Sequence, residues 1–163
     1  MSCDPNLLPI LQQLADALQQ RGWMLATAES CTGGMIAAAC TDLPGSSNWF
    51  DRGFVTYSNA AKTEMLGVPA ALIAEHGAVS EAVVRAMAKG AITHSKAQVS
   101  VAVSGVAGPG GGTPEKPVGT VWVAWACGGS TSAQCLKFSG SRQQIRSSAT
   151  LYVLRELLAI SHS

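Results

Sequence analysis

The run Val99-Ser-Val-Ala-Val-Ser104 stops at Gly105, and the tract from there to Pro117 holds three of the chain's seven prolines. A short β-branched run ended in this way reads as a buried strand over Gln98–Ser104, and the Gly/Pro tract as a loop. Two more apolar runs, Trp23–Ala28 and Arg52–Tyr57, have the same strand character. Between them lie segments with helical spacing. Asn6–Gln20 repeats Leu7, Leu8, Leu11, Leu14, Ala15 and Leu18, while Met35–Cys40, Asn59–Leu66 and Ser80–His94 complete the set. Ser80 followed by Glu81 is a helix start signal. Val118–Ala126 and Gln134–Phe138 form an expected antiparallel hairpin across Cys127-Gly128-Gly129-Ser130, and Ser141–Ile160 is a closing amphipathic helix.

Strands alternating with helices, then a hairpin and a helix, predict an α/β sandwich with a mixed sheet. No internal repeat or long linker divides the 163 residues, so one domain over 1–163 is expected. The Gly/Pro tract joins two strands inside that fold and is better read as functional than as a boundary.

Composition narrows the function. The chain is 47% hydrophobic and only 13% charged, which argues against disorder. Its net charge is +1 with no basic stripe, so neither nucleic acid nor an anionic membrane is an expected partner. Small molecules and further copies of the chain, in a homo-oligomer, are the expected partners. No apolar run approaches the roughly 20 residues that span a bilayer. Met-Ser-Cys-Asp-Pro lacks the features of a secretory signal, and the five scattered cysteines fit a reducing cytoplasm. The histidines His76, His94 and His162 are isolated, and no metal site is expected.

In open α/β sheets, ligands bind beyond the carboxyl ends of the strands. Three loops in such positions should converge on one cleft. The first is Glu29-Ser30-Cys31-Thr32-Gly33-Gly34, the second Tyr57-Ser58-Asn59, and the third Ser104-Gly105-Val106-Ala107-Gly108-Pro109. Gly45-Ser46-Ser47, followed by Tyr57 and Lys62, adds a hydroxyl and an amine with no histidine nearby. A serine without histidine needs another proton acceptor, and a lysine of lowered pKa can serve. Lys62 is expected in the first turn of a helix, where the macrodipole disfavours a cation. Ser47 is thus a candidate nucleophile, Lys62 its base and Tyr57 an orienting or relaying group, with the N–H groups of Asn48-Trp49-Phe50 holding an oxyanion.

Plainer readings stand beside these. Gly-Ser-Ser is common in turns, and Glu29–Gly34 serves equally as a capping turn or as a close approach to phosphate at a helix end. Cys31 is an alternative nucleophile, since a helix N-terminus favours thiolate, or else a structural or substrate contact. Arg142 is either a phosphate ligand or a solvated helix start.

Taken in order, Thr27-Ala-Glu-Ser-Cys-Thr-Gly-Gly34, Pro44-Gly-Ser-Ser47, Phe50-x-x-Gly-Phe-Val-Thr-Tyr-Ser-Asn59 with Lys62, Gly77-Ala-Val-Ser-Glu81, Ser104-Gly-Val-Ala-Gly-Pro109 and Lys116-Pro-Val-Gly-Thr-Val-Trp122 closely resemble the CinA C-terminal domain family, the bacterial nicotinamide-mononucleotide deamidases. The resemblance covers nearly all of the chain. It implies a three-layer α/β/α sandwich on a five-stranded, mostly parallel mixed sheet. It also implies hydrolysis of the carboxamide of nicotinamide mononucleotide to nicotinic acid mononucleotide and ammonia, within NAD recycling and without a cofactor. The resemblance maps a catalytic serine, tyrosine and lysine onto Ser47, Tyr57 and Lys62. Substrate contacts are expected from Glu29, Ser30, Cys31, Thr32, Gly33, Gly34, Asn59, Ser104, Gly105, Ala107, Gly108 and Arg142. Where some relatives read Gly-Asp-Arg before the last helix, this chain has Gly140-Ser141-Arg142. Two other functions compete: an inactive nucleotide-binding regulatory module tied to competence or DNA damage, and an amidohydrolase acting on a different carboxamide.

Overall fold

The computed structural model describes residues 4–162. The helices are α1 (Leu7–Arg21), α2 (Met35–Thr41), α3 (Asn59–Leu66), α4 (Ala70–His76), α5 (Glu81–Thr93) and α6 (Arg142–His162). The strands are β1 (Leu25–Glu29), β2 (Phe50–Val55), β3 (Val99–Gly105), β4 (Thr120–Cys127) and β5 (Ser130–Lys137). They form one sheet in the order β2-β1-β3-β4-β5. β1 runs parallel to β2 and β3, whereas the β3–β4 and β4–β5 pairs are antiparallel. Only β4 therefore opposes the common direction: the sheet is mixed as the order of strands and helices predicted, with four of its five strands parallel as the resemblance implied.

Strand alternation builds two different cores. Val99, Val101, Val103, Val121 and Val123 face one layer, where Leu11, Leu14 and Leu18 of α1 and Ile145, Val153 and Leu157 of α6 cover them. Ala26, Ala28, Ala102 and Ala124 face the other layer, where Val83, Val84 and Met87 of α5 pack closely. Small residues on this second face let α5 approach the sheet, and Ser100 Oγ donates to Ala88 O at 2.7 Å.

Most boundaries agree with the sequence reading to within a residue or two, and three differences have local causes. β2 begins at Phe50 rather than Arg52, because Phe50 already pairs with Leu25 before a register shift. β5 begins at Ser130, four residues earlier than expected. Gly128 and Gly129 both take positive φ, 57° and 81°. Such a two-residue turn starts pairing at once, Cys127 opposite Ser130. The polar outer-strand residues Ser130–Ser132 conceal that start in the sequence. The short helix α4, entered from Pro69, was not anticipated; its seven residues carry too little periodicity.

The chain leaves β1 toward β2 on one side and leaves β3 toward β4 on the other. Above the carboxyl ends of β1 and β3 this opens a crevice.

Candidate active site

Glu29 and Ser30 are consecutive at the end of β1, so their side chains point to opposite faces. The Glu29 carboxylate turns toward α2. Its Oε1 accepts from Thr32 Oγ1 at 2.7 Å and Ile36 N at 2.9 Å, and its Oε2 from Ala37 N at 3.0 Å. The residue before α2, Gly34, has no side chain with which to cap it. Glu29 therefore satisfies the second and third backbone donors of α2 from the neighbouring strand, the first, Met35 N, going to Thr32 O at 3.1 Å. Of the two readings of Glu29–Gly34, this is the capping turn: the helix N-terminus that would hold an anion holds the chain's own carboxylate. Glu29 is fully buried, as is Thr32. Arg146 of α6 braces the turn, with Nε donating to Cys31 O at 3.0 Å and Nη2 to Thr32 O at 3.3 Å.

Ser30 turns toward α3. Its N–H donates to Val103 O at 3.0 Å, tying it to β3. α3 starts where Ser58 Oγ accepts from Ala61 N at 3.0 Å, a serine cap. Lys62 then lies one turn in and is only 1% exposed. Its Nζ donates to Ser30 Oγ at 3.1 Å, Thr56 O at 3.0 Å and Tyr57 O at 3.2 Å. Burial holds the Lys62 amine below the ordinary lysine value of 10.5. The cause is desolvation by burial. Ser30 Oγ itself donates to Tyr57 O at 3.4 Å; once the amine is neutral, with its two N–H bonds on the two carbonyls, its lone pair can instead accept from Ser30 Oγ.

The structure does not bring Ser47 to Lys62. Ser47 is exposed in a 3₁₀ turn, Ser46–Asn48, that leads into the start of β2. Lys62 follows the other end of that strand. Six strand residues put the two ends about 20 Å apart. The oxyanion donors expected there are also engaged, Asn48 N with Gly45 O and Trp49 N with Ser46 O, each at 3.0 Å. The hydroxyl beside the amine is Ser30, which the sequence reading had placed among the substrate contacts.

Around this pair lies a cleft of about 250 Å³ lined by Ser30, Cys31, Tyr57, Asn59, Lys62, Ser104, Gly105, Ala107 and Arg142, together with Ala78 and Val79. The three expected loops do converge. Glu29, Thr32, Gly33, Gly34 and Gly108, expected as substrate contacts, do not line it. Ala78 and Val79 were missed, because apolar wall residues carry no chemical signature. Ser104 Oγ donates to Ala78 O at 2.9 Å and fixes that wall. A roomier groove of about 410 Å³ between α3 and α4 is walled by residues such as Ala60, Thr63, Ala70 and Ile73, and its ionisable side chain is the exposed Glu64 rather than a buried amine.

At the mouth, Arg142 is the first residue of α6. Ser141 Oγ accepts from Gln144 N at 3.2 Å while Gln144 Oε1 accepts from Ser141 N at 2.8 Å, a reciprocal cap that fixes this start. Arg142 Nη1 donates to Gly108 O at 2.8 Å and Nη2 to the Tyr57 hydroxyl at 3.2 Å. Tyr57 is 60% exposed, with its ring at the entrance. Gly108 has φ 80°, and a Cβ there would come within 2.5 Å of Val118 Cγ1, so only glycine can present this carbonyl. Cys31 is not a poised thiolate. Burial pushes its thiol up to about 11.

A profile of the CinA C-terminal domain matches residues 8–160. The chain belongs to the CinA C-terminal domain family. Among relatives, it is 52% identical over 157 residues to the nicotinamide-nucleotide amidohydrolase PncC of Escherichia coli strain K12, covering 94% of each chain. To the protein of the same name from Pseudomonas putida it is 49% identical, covering 96% of this chain and 98% of that one. The family also occurs in longer proteins: a CinA-like protein of Akkermansia muciniphila matches at 56% identity over 86% of this chain but only 34% of its own length. The solved structure of the competence/damage inducible protein CihA from Agrobacterium tumefaciens superimposes with a TM-score of 0.95 at 39% identity, covering 100% of this chain and 99% of that one. Among the described residues, no group of three His, Cys, Asp or Glu side chains is placed to hold a metal ion.

Proposed function

We propose that the chain, acting as one domain, hydrolyses the carboxamide of nicotinamide mononucleotide, with Ser30 as nucleophile and Lys62 as base. The observation that carries this reading is the 3.1 Å contact between Ser30 Oγ and a buried Lys62 amine of lowered pKa. A serine hydroxyl is a weak nucleophile unless a base takes its proton, and a neutral lysine within hydrogen-bond reach is such a base. The names of the relatives support a nicotinamide nucleotide as the substrate.

Lys62 Nζ takes the Ser30 proton as Oγ bonds to the amide carbon, giving a tetrahedral oxyanion. Its collapse breaks the C–N bond, and the Lys62 ammonium returns the proton to the departing nitrogen, which leaves as ammonia. Water then adds to the ester on Ser30, with Lys62 accepting its proton and handing it back to Oγ. The products are nicotinic acid mononucleotide and the original enzyme. Arg142 at the mouth is the candidate phosphate ligand, and Asn59 and Ser104 line the path between mouth and base. Such a reaction returns nicotinamide mononucleotide to NAD synthesis. The free thiols Cys31, Cys40, Cys127 and Cys135 suit a reducing cytoplasm.

The test is ammonia release from nicotinamide mononucleotide by the purified protein, with Ser30→Ala and Ser47→Ala alongside. Release lost in Ser30→Ala and kept in Ser47→Ala is expected. Release kept in Ser30→Ala would discard the nucleophile. Binding without release by the unaltered protein would favour a nucleotide-binding regulatory module instead.

A further inference from the structure

We propose that Glu29 is a positioning residue for the reaction: by clamping the N-terminus of α2 to the last residue of β1, its carboxylate holds the Ser30 hydroxyl in register with Lys62. This rests on the Ser30–Lys62 reading above. Glu29 is fully buried, and burying a carboxylate is costly unless hydrogen bonds replace its hydration. Here three donors converge on it, from the Thr32 hydroxyl and the backbones of Ile36 and Ala37.

Capping alone does not explain such a group. The same chain caps α3 with Ser58 and α5 with Ser80, each through a local hydroxyl. α2 is instead capped from the strand, by the residue bonded covalently to the nucleophile. Gly34, at φ 109°, could not carry a capping side chain there without strain. The clamp therefore fixes both ends of the short turn that contains Ser30. Alternation along β1 does the rest, since a carboxylate fixed on the α2 face directs the next side chain to the α3 face. On its far side the same residue is also held, because Thr56 N donates to Glu29 O at 2.9 Å. Thr56 O is in turn an acceptor for Lys62 Nζ. Glu29 thus touches the supports of both reacting groups without lining the cleft.

Two substitutions probe the clamp. Glu29→Gln keeps the shape but sets an amide donor against a backbone donor. Thr32→Val removes one hydroxyl contact and leaves the carboxylate in place. Each is assayed for kcat and KM on nicotinamide mononucleotide, and for the rate at which a small sulfonyl fluoride labels Ser30 in the absence of substrate. A reacting group displaced by about 1 Å loses roughly 100-fold in rate. Glu29→Gln is therefore expected to lower kcat on that order, Thr32→Val to a lesser degree, with KM little changed and Ser30 labelling slowed in parallel. Thr32→Ser should restore both rates. Labelling and kcat at the unaltered level in Glu29→Gln would overturn the proposal. So would activity lost only in proportion to the unfolded fraction measured by circular dichroism, or no rescue by Thr32→Ser. Ser30→Ala runs in the same series: turnover surviving there sinks the underlying nucleophile assignment, whereas turnover lost there but intact in Glu29→Gln sinks only the positioning role.

Discussion

Ser30 Oγ and Lys62 Nζ lie 3.1 Å apart although 32 residues separate them in the chain and they belong to different layers of the fold. Two short-range features meet to make this contact. Lys62 folds back on the carbonyls of Thr56 and Tyr57, so its amine is anchored to the turn that precedes its own helix. Ser30 arrives through the sheet, where β1 and β2 run side by side and Thr56 N pairs with Glu29 O. The register of two parallel strands thus sets the distance between a hydroxyl and a buried amine.

The pH dependence of turnover should report Lys62. Only the neutral amine can accept the Ser30 proton, and burial favours that form. The value of kcat/KM should rise with pH and level off at a pKa below 10.5. Stability carries the same signature. Between the folded and unfolded pKa values the unfolded chain binds more protons, so the free energy of unfolding climbs with pH across that window. Below the window, the cost of burying the ammonium is present in full. Lys62→Met should abolish turnover and remove this part of the climb. Denaturant titrations of both proteins across the alkaline range check it, and identical slopes would assign the titration to another group.

How far the site could be read from sequence depended on which physical rule was needed. The convergence of Ser30, Tyr57 and Ser104 followed from one rule, that ligands collect at the carboxyl ends of parallel strands. Lys62 stood out as an amine near a helix start with no histidine in the neighbourhood. The hydroxyl beside it is Ser30 and not Ser47, because Ser47 and Lys62 are near in sequence but lie at opposite ends of β2, and sequence separation across a strand measures length rather than proximity. Ser30 needed the facing of β1 relative to α3, and that is set by pairing register. The Arg142 contact with Gly108 O depends on a loop whose path no periodicity encodes.

Cys31 lines the cleft, but burial pushes its thiol up to about 11, which leaves little thiolate at pH 8. Alkylation by iodoacetamide at pH 8 should mark exposed Cys135 well before Cys31. Cys31→Ser should keep turnover within about tenfold, since it removes no reacting atom. Peptide mass spectrometry over a time course gives the order of labelling. Early modification of Cys31 with matching loss of activity would restore it as a nucleophile.

Arg142 reaches Gly108 O and the Tyr57 hydroxyl with two different nitrogens, which a lysine ammonium cannot reproduce in the same fork. A charged hydrogen bond to phosphate contributes about 1.5–3 kcal/mol. Arg142→Ala should raise KM for the mononucleotide roughly 10- to 100-fold, with kcat altered much less. Nicotinamide riboside, which has no phosphate, supplies the control. If kcat/KM for the riboside is measurable and falls by the same factor, Arg142 shapes the cleft through Tyr57 and does not hold phosphate.

Gly90 tests whether the position of α3 matters to the chemistry. An added Cβ in α5 would run into the carbonyl oxygen of Leu66, at the end of the helix that carries Lys62, and would lie 3.0 Å from Leu66 Cβ. In an exposed helix, Gly→Ala gains about 1 kcal/mol from propensity. Here the new methyl group meets backbone, and overpacking of that kind costs about 1–3 kcal/mol. Contact with a carbonyl oxygen belongs at the upper end, so the net effect should be a loss of about 1–2 kcal/mol, or roughly 2–8 °C in Tm for a chain of this size. α3 can relieve the clash only by moving away from α5, and Lys62 must move with it. Gly90→Ala should therefore lower kcat at temperatures where the variant is still folded, and the sulfonyl fluoride should label Ser30 more slowly. A stabilised variant would show that α3 and α5 separate without strain. A destabilised variant with full kcat would show that the contact between Lys62 and Ser30 is held by β1 and β2 alone.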